Sequence, residues 1–151
     1  MPKVAFTTAF LERACCISVR AKVDYFDSGQ RGFMLTGEER YLAPFAEGVA
    51  AVPGQMAAVR TLLEQDLPQL ERLRQVETLA KAKIDELSQT ITRYRSGDPQ
   101  GAQAMVKSGR GEQLMVGISS LIGEMEAHDQ LVLVTRQATF TRTVAFANFI
   151  T

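Results

Sequence analysis

Apolar residues recur at steps of three and four along most of the chain, the spacing that places side chains on one face of an α-helix. Strand-like alternation between turn residues is not found. The first apolar stripe consists of Cys16, Val19, Val23, Phe26, Gln30 and Phe33. This stripe predicts a first helix over residues 3–35. Thr36 and Gly37 then interrupt it, because glycine tolerates the left-handed conformation that closes a helix.

The second stripe predicts a helix with a proline in its middle. Its members are Leu42, Phe45, Val49, Val52, Met56, Val59 and Leu63. Pro44 falls in the first turn, where proline is tolerated. Pro53 and Gly54 fall mid-helix, where the missing N–H and the ring clash predict a kink or break.

The third stripe predicts a long, uninterrupted helix. It consists of Leu70, Leu73, Val76, Ala80, Ile84, Leu87, Ile91 and Tyr94. Asp66 is placed to cap its N-terminus, with Pro68 inside the first turn. Residues 96–99, which include a glycine and a proline, end it.

The last segment predicts a short helix followed by a long one. The short helix spans Pro99 to Lys107, and the glycines at 109 and 111 predict a break after it. The stripe of the long helix consists of Leu114, Ile118, Leu121, Met125, His128, Val132, Thr135, Thr139, Arg142, Phe146 and Phe149. Because no Gly or Pro stop signal follows, we expect this helix to continue in a longer parent protein.

These segments predict an all-α fold. Four helices with short connections form an antiparallel up-down-up-down four-helix bundle with long first and last helices, as one domain over residues 1–151. The register gathers five phenylalanines at the end that carries both termini, namely Phe6, Phe10, Phe140, Phe146 and Phe149. This aromatic, charge-poor end is typical of a face that sits on a bilayer. The alternative is that these phenylalanines are ordinary core residues at the edge of the given sequence.

Composition narrows the classes of function. The chain has 17 basic and 17 acidic residues, so no basic field favours nucleic acid. Hydrophobic residues make up 46% and charged ones 23%, as in a folded domain. No run of 18 apolar residues predicts a membrane span, and the N-terminal residues lack the pattern of an export signal.

Residues able to carry chemistry are few. Cys15 and Cys16 are the two cysteines, interpreted as small residues on a helix, with a vicinal or intermolecular disulfide as the alternative. His128, the single histidine, falls on the core stripe without a ligand-spaced partner, which favours a core or boundary role over a metal ligand. The carboxylate pairs neighbour basic residues, and most of them are interpreted as a solvated face, namely Glu38 and Glu39, Glu124 and Glu126, and Asp85 and Glu86. We therefore predict no catalytic residues, no metal and no cofactor.

The most distinctive stretch is residues 27–37, whose motif residues are Gly29, Gln30, Arg31, Gly32, Phe33, Thr36 and Gly37. Glycines inside a helix cost stability unless a close contact or a function needs them. We interpret these glycines as positions without a side chain, which let a neighbouring helix approach closely. Gln30 and Arg31 are expected to hydrogen-bond loop carbonyls or Asp27 and so fix the register of the bundle.

With Glu38–Leu42, residues 97–99 and residues 105–115, this motif resembles the third type of CHASE domain, the cyclase- and histidine-kinase-associated sensory extracellular domain. The resemblance covers about residues 24–130 and departs from the usual motif at Asp27 and Ser28. It implies a periplasmic or extracellular four-helix bundle held between two transmembrane helices, which are absent from this sequence. Such domains regulate kinases, diguanylate cyclases or chemoreceptors.

The resemblance implies a signal-input domain of a membrane-bound protein such as a histidine kinase, which passes a stimulus on by movement of its first and last helices. The alternative is a ligand-free dimerising spacer. A helical metal enzyme is disfavoured because no inward Glu-x-x-His pair exists. We expect a homodimer through the first and last helices. An unidentified small-molecule ligand is expected at that interface or near Arg31 and Tyr41.

Overall fold

The computed structural model of the chain describes residues 25–149, with the side chains at 136, 140 and 142–149 excepted. Predictions that involve Cys15, Cys16, the first helix before residue 25 and the phenylalanine cluster lie outside the described residues. Each regular element between residues 25 and 149 is helical. The all-α prediction is therefore confirmed.

Five α-helices and one short 3₁₀ helix follow one another between residues 25 and 149. The first helix, α1, is described over residues 25–36. It is followed by the 3₁₀ helix Glu39–Leu42, α2 (Ala43–Leu62), α3 (Leu67–Arg95), α4 (Pro99–Lys107) and α5 (Arg110–Phe149). The helices α4 and α5 together occupy the place of the fourth helix of the bundle.

Contacts between named residues fix the helix directions. Phe26, early in α1, packs edge-to-face against Phe45 of α2 with ring centroids 5.7 Å apart, whereas Phe33, late in α1, clusters with Leu42 just before α2. The two helices therefore run antiparallel. Phe33 also packs against Tyr94 near the end of α3, so α1 and α3 run the same way.

The long helix α5 runs antiparallel to α3. The side-chain amide of Gln69, in the first turn of α3, donates to the carbonyl of Met125 at 3.1 Å. At the other end, Gly111 of α5 lies against Lys83 and Glu86. This is the up-down-up-down arrangement expected from the short connections.

The face of α3 that is buried follows a strict heptad pattern. Seven residues at alternating steps of four and three are buried, namely Gln69, Leu73, Val76, Ala80, Lys83, Leu87 and Thr90. The stripe predicted from the sequence contains all the apolar members of this set. It also contains Leu70 and Ile84, which are only partly buried in the structure. The sequence therefore located the buried face of α3 correctly. The structure adds three polar residues to this face, namely Gln69, Lys83 and Thr90.

The prediction of a break at Pro53 and Gly54 is wrong. Helix α2 continues through both residues from Ala43 to Leu62. Val52 and Met56, on either side of the proline, are both buried in the main core. Their packing keeps both turns helical, so the loss of one backbone hydrogen bond does not end the helix.

The other predicted helix ends are observed. The carboxylate of Asp66 accepts a hydrogen bond from the N–H of Gln69 at 3.1 Å and so caps α3. Asp98 caps α4 in the same way. Gly109, at φ 74°, separates α4 from α5. Gly111 lies inside α5 and does not belong to the break.

Candidate functional site

The glycine motif of α1 lies against Tyr41 of the 3₁₀ helix. A Cβ added at Gly29 would lie 2.7 Å from the carbonyl oxygen of Tyr41, and one added at Gly32 would lie 2.6 Å from its ring. Real side-chain carbons do not approach so closely, so only glycine leaves room for this contact. The neighbour that the glycines admit is the turn before α2 and not a long helix.

Three further motif residues anchor and end α1. Phe33 is buried and packs edge-to-face against Tyr94, with centroids 5.1 Å apart. The hydroxyl of Thr36 donates to the carbonyl of Gly32 at 2.8 Å and accepts from the N–H of Glu38 at 3.1 Å. Gly37 then turns the chain at φ 72°, a conformation that costs other residues free energy.

Gln30 and Arg31 have opposite environments. Gln30 is buried, and its Nε2 has no hydrogen-bond partner among the described residues. The side chain of Arg31 is 68% exposed and pairs with Asp27 one turn earlier, at 2.5 Å. The pairing of Arg31 with Asp27 is one of the two contacts expected from the sequence. Gln30 instead places an amide in the apolar interior.

A buried charge cluster lies beside this motif. The ammonium of Lys83 is 2.9 Å from Oδ1 of Asp27 and 3.1 Å from Oε2 of Glu86. The side chains of Lys83 and Glu86 are only 3% and 6% exposed. A Cβ at Gly111 would lie 2.5 Å from the Lys83 nitrogen. Helices α1, α3 and α5 therefore meet at one buried ammonium group.

Asp27 joins the cluster to the exposed arginine. Its Oδ1 accepts from Lys83, while its Oδ2 pairs with Arg31. One carboxylate thus bridges a buried cation on α3 and an exposed cation on α1. Charge-assisted contacts of this kind are among the stronger polar interactions in proteins.

The interpretation of Glu86 as part of a solvated face is wrong, because it is buried against Lys83. Lys83 was not singled out from the sequence at all. A signal for it exists, since Lys83 lies three residues after Ala80 and four before Leu87, on the buried heptad of α3. Lysine at such a position is ordinarily exposed, and its carboxylate partner on α1 is far away in sequence.

A second polar cluster surrounds His128 at the other end of α3. The Nδ1 of His128 lies 3.8 Å from Asp66 and 3.7 Å from Asp129, and Gln69 donates to Asp129 at 2.9 Å. Burial raises the pKa of Asp129, and the hydrogen bond from Gln69 offsets this in part. Within residues 25–149, no three His, Cys, Asp or Glu side chains are placed to hold a metal ion.

Arg31, unlike Tyr41, lines the groove beside α1. Arg31 lines a groove of about 450 Å³ between α1 and α4, together with Leu35, Tyr94 and Val106. Tyr41 is not among the residues that line this groove, because it covers Gly29 and Gly32 instead. Arg31 therefore faces a groove that an anionic group could enter, and Tyr41 has a packing role.

Helices in this order form an antiparallel helical bundle with a buried polar cluster and a long last helix. The chain belongs to the CHASE3 domain family, whose model matches residues 19–139. Membership makes it a sensor domain of a signal-transduction protein, and the family is one of sensory rather than catalytic domains. No curated protein matches the chain.

The chain is also similar to a solved structure, the sensor domain of histidine kinase HK9 from Rhodopseudomonas palustris. The TM-score is 0.75 at 17% sequence identity, with 82% of this chain and 97% of that chain covered. At this identity the likeness shows the fold. In the part of the chain that the structure describes, no helix is both long and apolar enough to cross a membrane.

Removing the buried cation tests the charge cluster. In Lys83→Met, Asp27 and Glu86 lose their shared partner inside the bundle, so we expect the free energy of unfolding to fall by about 3–5 kcal/mol. The matched control, Lys81→Met, changes an exposed lysine of the same helix and is expected to cost less than about 0.5 kcal/mol. Urea unfolding followed by circular dichroism measures both. Equal midpoints for the two variants would contradict the role of Lys83.

A larger residue at Gly32 tests the contact with Tyr41. Gly32→Leu places a side chain where the tyrosine ring lies, so we expect a loss of about 1–3 kcal/mol through overpacking. Gly123→Leu is the control, because nothing lies within 4 Å of a Cβ at that position of α5. Thermal unfolding of both variants gives the comparison. An unchanged midpoint for Gly32→Leu would show that this face of α1 is open.

Proposed function

We propose that the chain is the extracytoplasmic signal-input domain of a membrane-bound histidine kinase. It passes a stimulus to the membrane by relative movement of its first and last helices. The sensory role comes with membership of the CHASE3 family, and the likeness to the sensor domain of a histidine kinase favours a kinase as the parent protein. The proposal of movement depends on the geometry of α5.

Helix α5 extends well past the buried core. Met125 is its last buried residue among those whose side chains are described, yet the helix continues to Phe149. The remaining residues extend on the order of 35 Å at about 1.5 Å each. A single unbroken helix transmits a shift or rotation at one end to the other. This is the observation that carries the proposal.

The charge cluster provides a contact that such a movement must change. Asp27 belongs to α1, while Lys83 and Glu86 belong to α3 and lie against Gly111 in the first turn of α5. Interfaces of this kind have discrete arrangements, and a stimulus shifts the balance between them by its differential affinity. We propose that the stimulus changes the position of α1 relative to α3 and α5 at this point.

The ligand proposed from the sequence is assigned to the Arg31 side of the domain. The exposed guanidinium stands at the edge of the groove between α1 and α4. The guanidinium pairs with one carboxylate, that of Asp27, and retains further N–H donors for an anionic group. Tyr41 contributes by holding α1 in place.

We also propose a parallel homodimer whose interface is formed by α5 and the first helix of each copy. Five exposed residues without charge follow one another at steps of four and three, namely Ala127, Leu131, Val134, Ala138 and Thr141. Leu131 is 65% exposed and Val134 is 55% exposed. Alternating steps of four and three are the spacing of a coiled-coil seam, in which the same face of two copies packs together.

The same stripe supports the alternative function, a dimerising spacer without a ligand. A spacer holds two copies together and responds to no molecule. Thermal unfolding against a library of small metabolites separates the two functions. A ligand that binds the folded state raises the midpoint with the logarithm of its concentration over Kd, whereas a spacer shows no such rise.

Alanine insertions in α5 test signal transmission. We expect one to four alanines inserted after Thr141 in the full-length membrane protein to change kinase output periodically. Each added residue rotates the following part of the helix by about 100°. Autophosphorylation in membranes measures the output. Output that stays constant through the whole series would contradict transmission by a continuous helix and favour the spacer.

Cysteine cross-linking tests the dimer face. With Cys15 and Cys16 changed to Ser in the full-length membrane protein, we expect Val134→Cys to form a disulfide-linked dimer on oxidation. Thr139→Cys lies on a different face of α5 and is expected to cross-link several-fold less. Non-reducing gel electrophoresis of oxidised membranes shows the products. Equal or absent dimer at both positions would contradict the proposed face.

A further inference from the structure

The ring of His128 lies between two carboxylates at the place where α5 leaves the core. Its Nδ1 is buried and has no hydrogen-bond partner among the described residues. Oδ2 of Asp66 lies 3.8 Å from this nitrogen and Oδ1 of Asp129 lies 3.7 Å from it, too far for a hydrogen bond. The ring nitrogen therefore faces two carboxylates without being bonded to either of them.

Both carboxylates are positioned by Gln69 in the first turn of α3. Asp66 accepts from the N–H of Gln69 through Oδ1, so the oxygen near the ring is its other one, Oδ2. Asp129 accepts from the side-chain amide of Gln69 at 2.9 Å. The cation nearby on α3, Arg72, donates to Oε1 of Gln69 at 3.0 Å and pairs with Glu124 of α5 at 3.6 Å. Within residues 25–149, the histidine ring is thus the one basic group that is paired with these two carboxylates.

A proton on the ring changes this contact. Histidine ordinarily gains or loses its charge between about pH 5 and pH 8. The neutral ring has one N–H and no net charge, whereas the protonated ring has an N–H on each nitrogen and a positive charge. Burial raises the pKa of Asp129, and a charge on His128 acts in the opposite direction. Proton uptake by the ring therefore supplies the cation that the two carboxylates otherwise lack.

We propose that His128 is a proton-operated switch that ties α5 to the start of α3 when its ring is protonated. Asp66 belongs to the turn before α3, while His128 and Asp129 belong to α5, so the contact with Asp66 joins two elements. Charge attraction draws Nδ1 to hydrogen-bond distance of the carboxylates, and loss of the proton releases it. The contact forms just after Met125, where the extended part of α5 begins.

This proposal names the proton as a stimulus of the domain. Its consequence for kinase output depends on the proposed signal-input function, because a tie at this place restrains the helix that carries the signal. The binding of the proton itself depends on neither membrane nor dimer. The experiments below use the chain without a membrane, so their failure leaves the alanine-insertion test of transmission through α5 unaffected.

The pH dependence of unfolding measures the coupling between ring and fold. His128→Gln raises the unfolding equilibrium constant by a factor that we expect to be about twofold to fivefold larger at about pH 5.5 than at about pH 8, the range of one partly exposed ion pair. The contact exists while the ring is protonated and is lost as the pH rises. Urea unfolding followed by circular dichroism gives the constants. The same factor at both pH values would overturn the proposal.

Removal of the partner charges tests whether the effect belongs to these ion pairs. Asn at position 66 keeps a side-chain oxygen that caps α3 but has no charge. In Asp66→Asn the pH-dependent factor is expected to decrease, and in Asp66→Asn/Asp129→Asn it is expected to fall to about one. Glu126→Gln is the control, because this carboxylate of α5 is not paired with the ring. An unchanged factor in the double variant, or an equal decrease in Glu126→Gln, would refute the switch.

NMR shows whether proton uptake reaches both elements. His128 is the single histidine of the chain, so its ring signals have one assignment. Between about pH 5 and pH 8 we expect the backbone amide signals of Asp66 and of residues 129–134 to shift with the same midpoint as the ring. These shifts are expected to disappear in His128→Gln. A ring that titrates while the signals of Asp66 and α5 stay constant would show that the proton does not act on α5 and would end the proposal.

Discussion

The buried ammonium of Lys83 is the constraint on which the arrangement of the bundle depends. Removal of a charge from water costs several kcal/mol unless opposite charges and hydrogen bonds compensate it. Here the compensation comes from Glu86 on the same helix and from Asp27 on α1. Because Asp27 reaches Lys83 at only one axial position, the pair fixes α1 relative to α3. The absence of a side chain at Gly111 lets α5 approach the same point.

The polar residues on the buried face of α3 each tie it to a different helix. Gln69 donates to α5 at the carbonyl of Met125, and Lys83 pairs with α1. Thr90 lies against Met105 of α4. Apolar heptad residues pack well in several registers, whereas these contacts are satisfied in one. Helix α3 therefore acts as the common reference against which the other helices are positioned.

This arrangement is suited to a sensory module of the CHASE3 family. The end near α4 is closed by glycine contacts with Tyr41 and by the charge cluster, whereas α5 extends far beyond the core at the other end. In the proposed mechanism, a small displacement at the packed end is carried along α5 to the extended one. The packed end also contains a feature that costs stability, the Nε2 of Gln30, which is buried without a hydrogen-bond partner among the described residues. Costly features of this kind are commonly found where a protein binds or moves.

The sequence by itself determined the helical class, the order of the helices, most of their ends and the apolar face of α3, whereas Thr135 and Thr139 of the stripe predicted for the last helix are exposed. These properties depend on local signals: the three-four spacing, the caps at Asp66 and Asp98, and glycines with positive φ. Only the tertiary structure decided that α2 continues through Pro53 and that Lys83 and Glu86 are buried. A charged residue on a heptad is interpreted as exposed until its partner is known, and Asp27 is 56 residues away from Lys83. Likewise, the effect of a proline depends on whether packing on both sides keeps the helix continuous, and this packing exists only in the folded bundle.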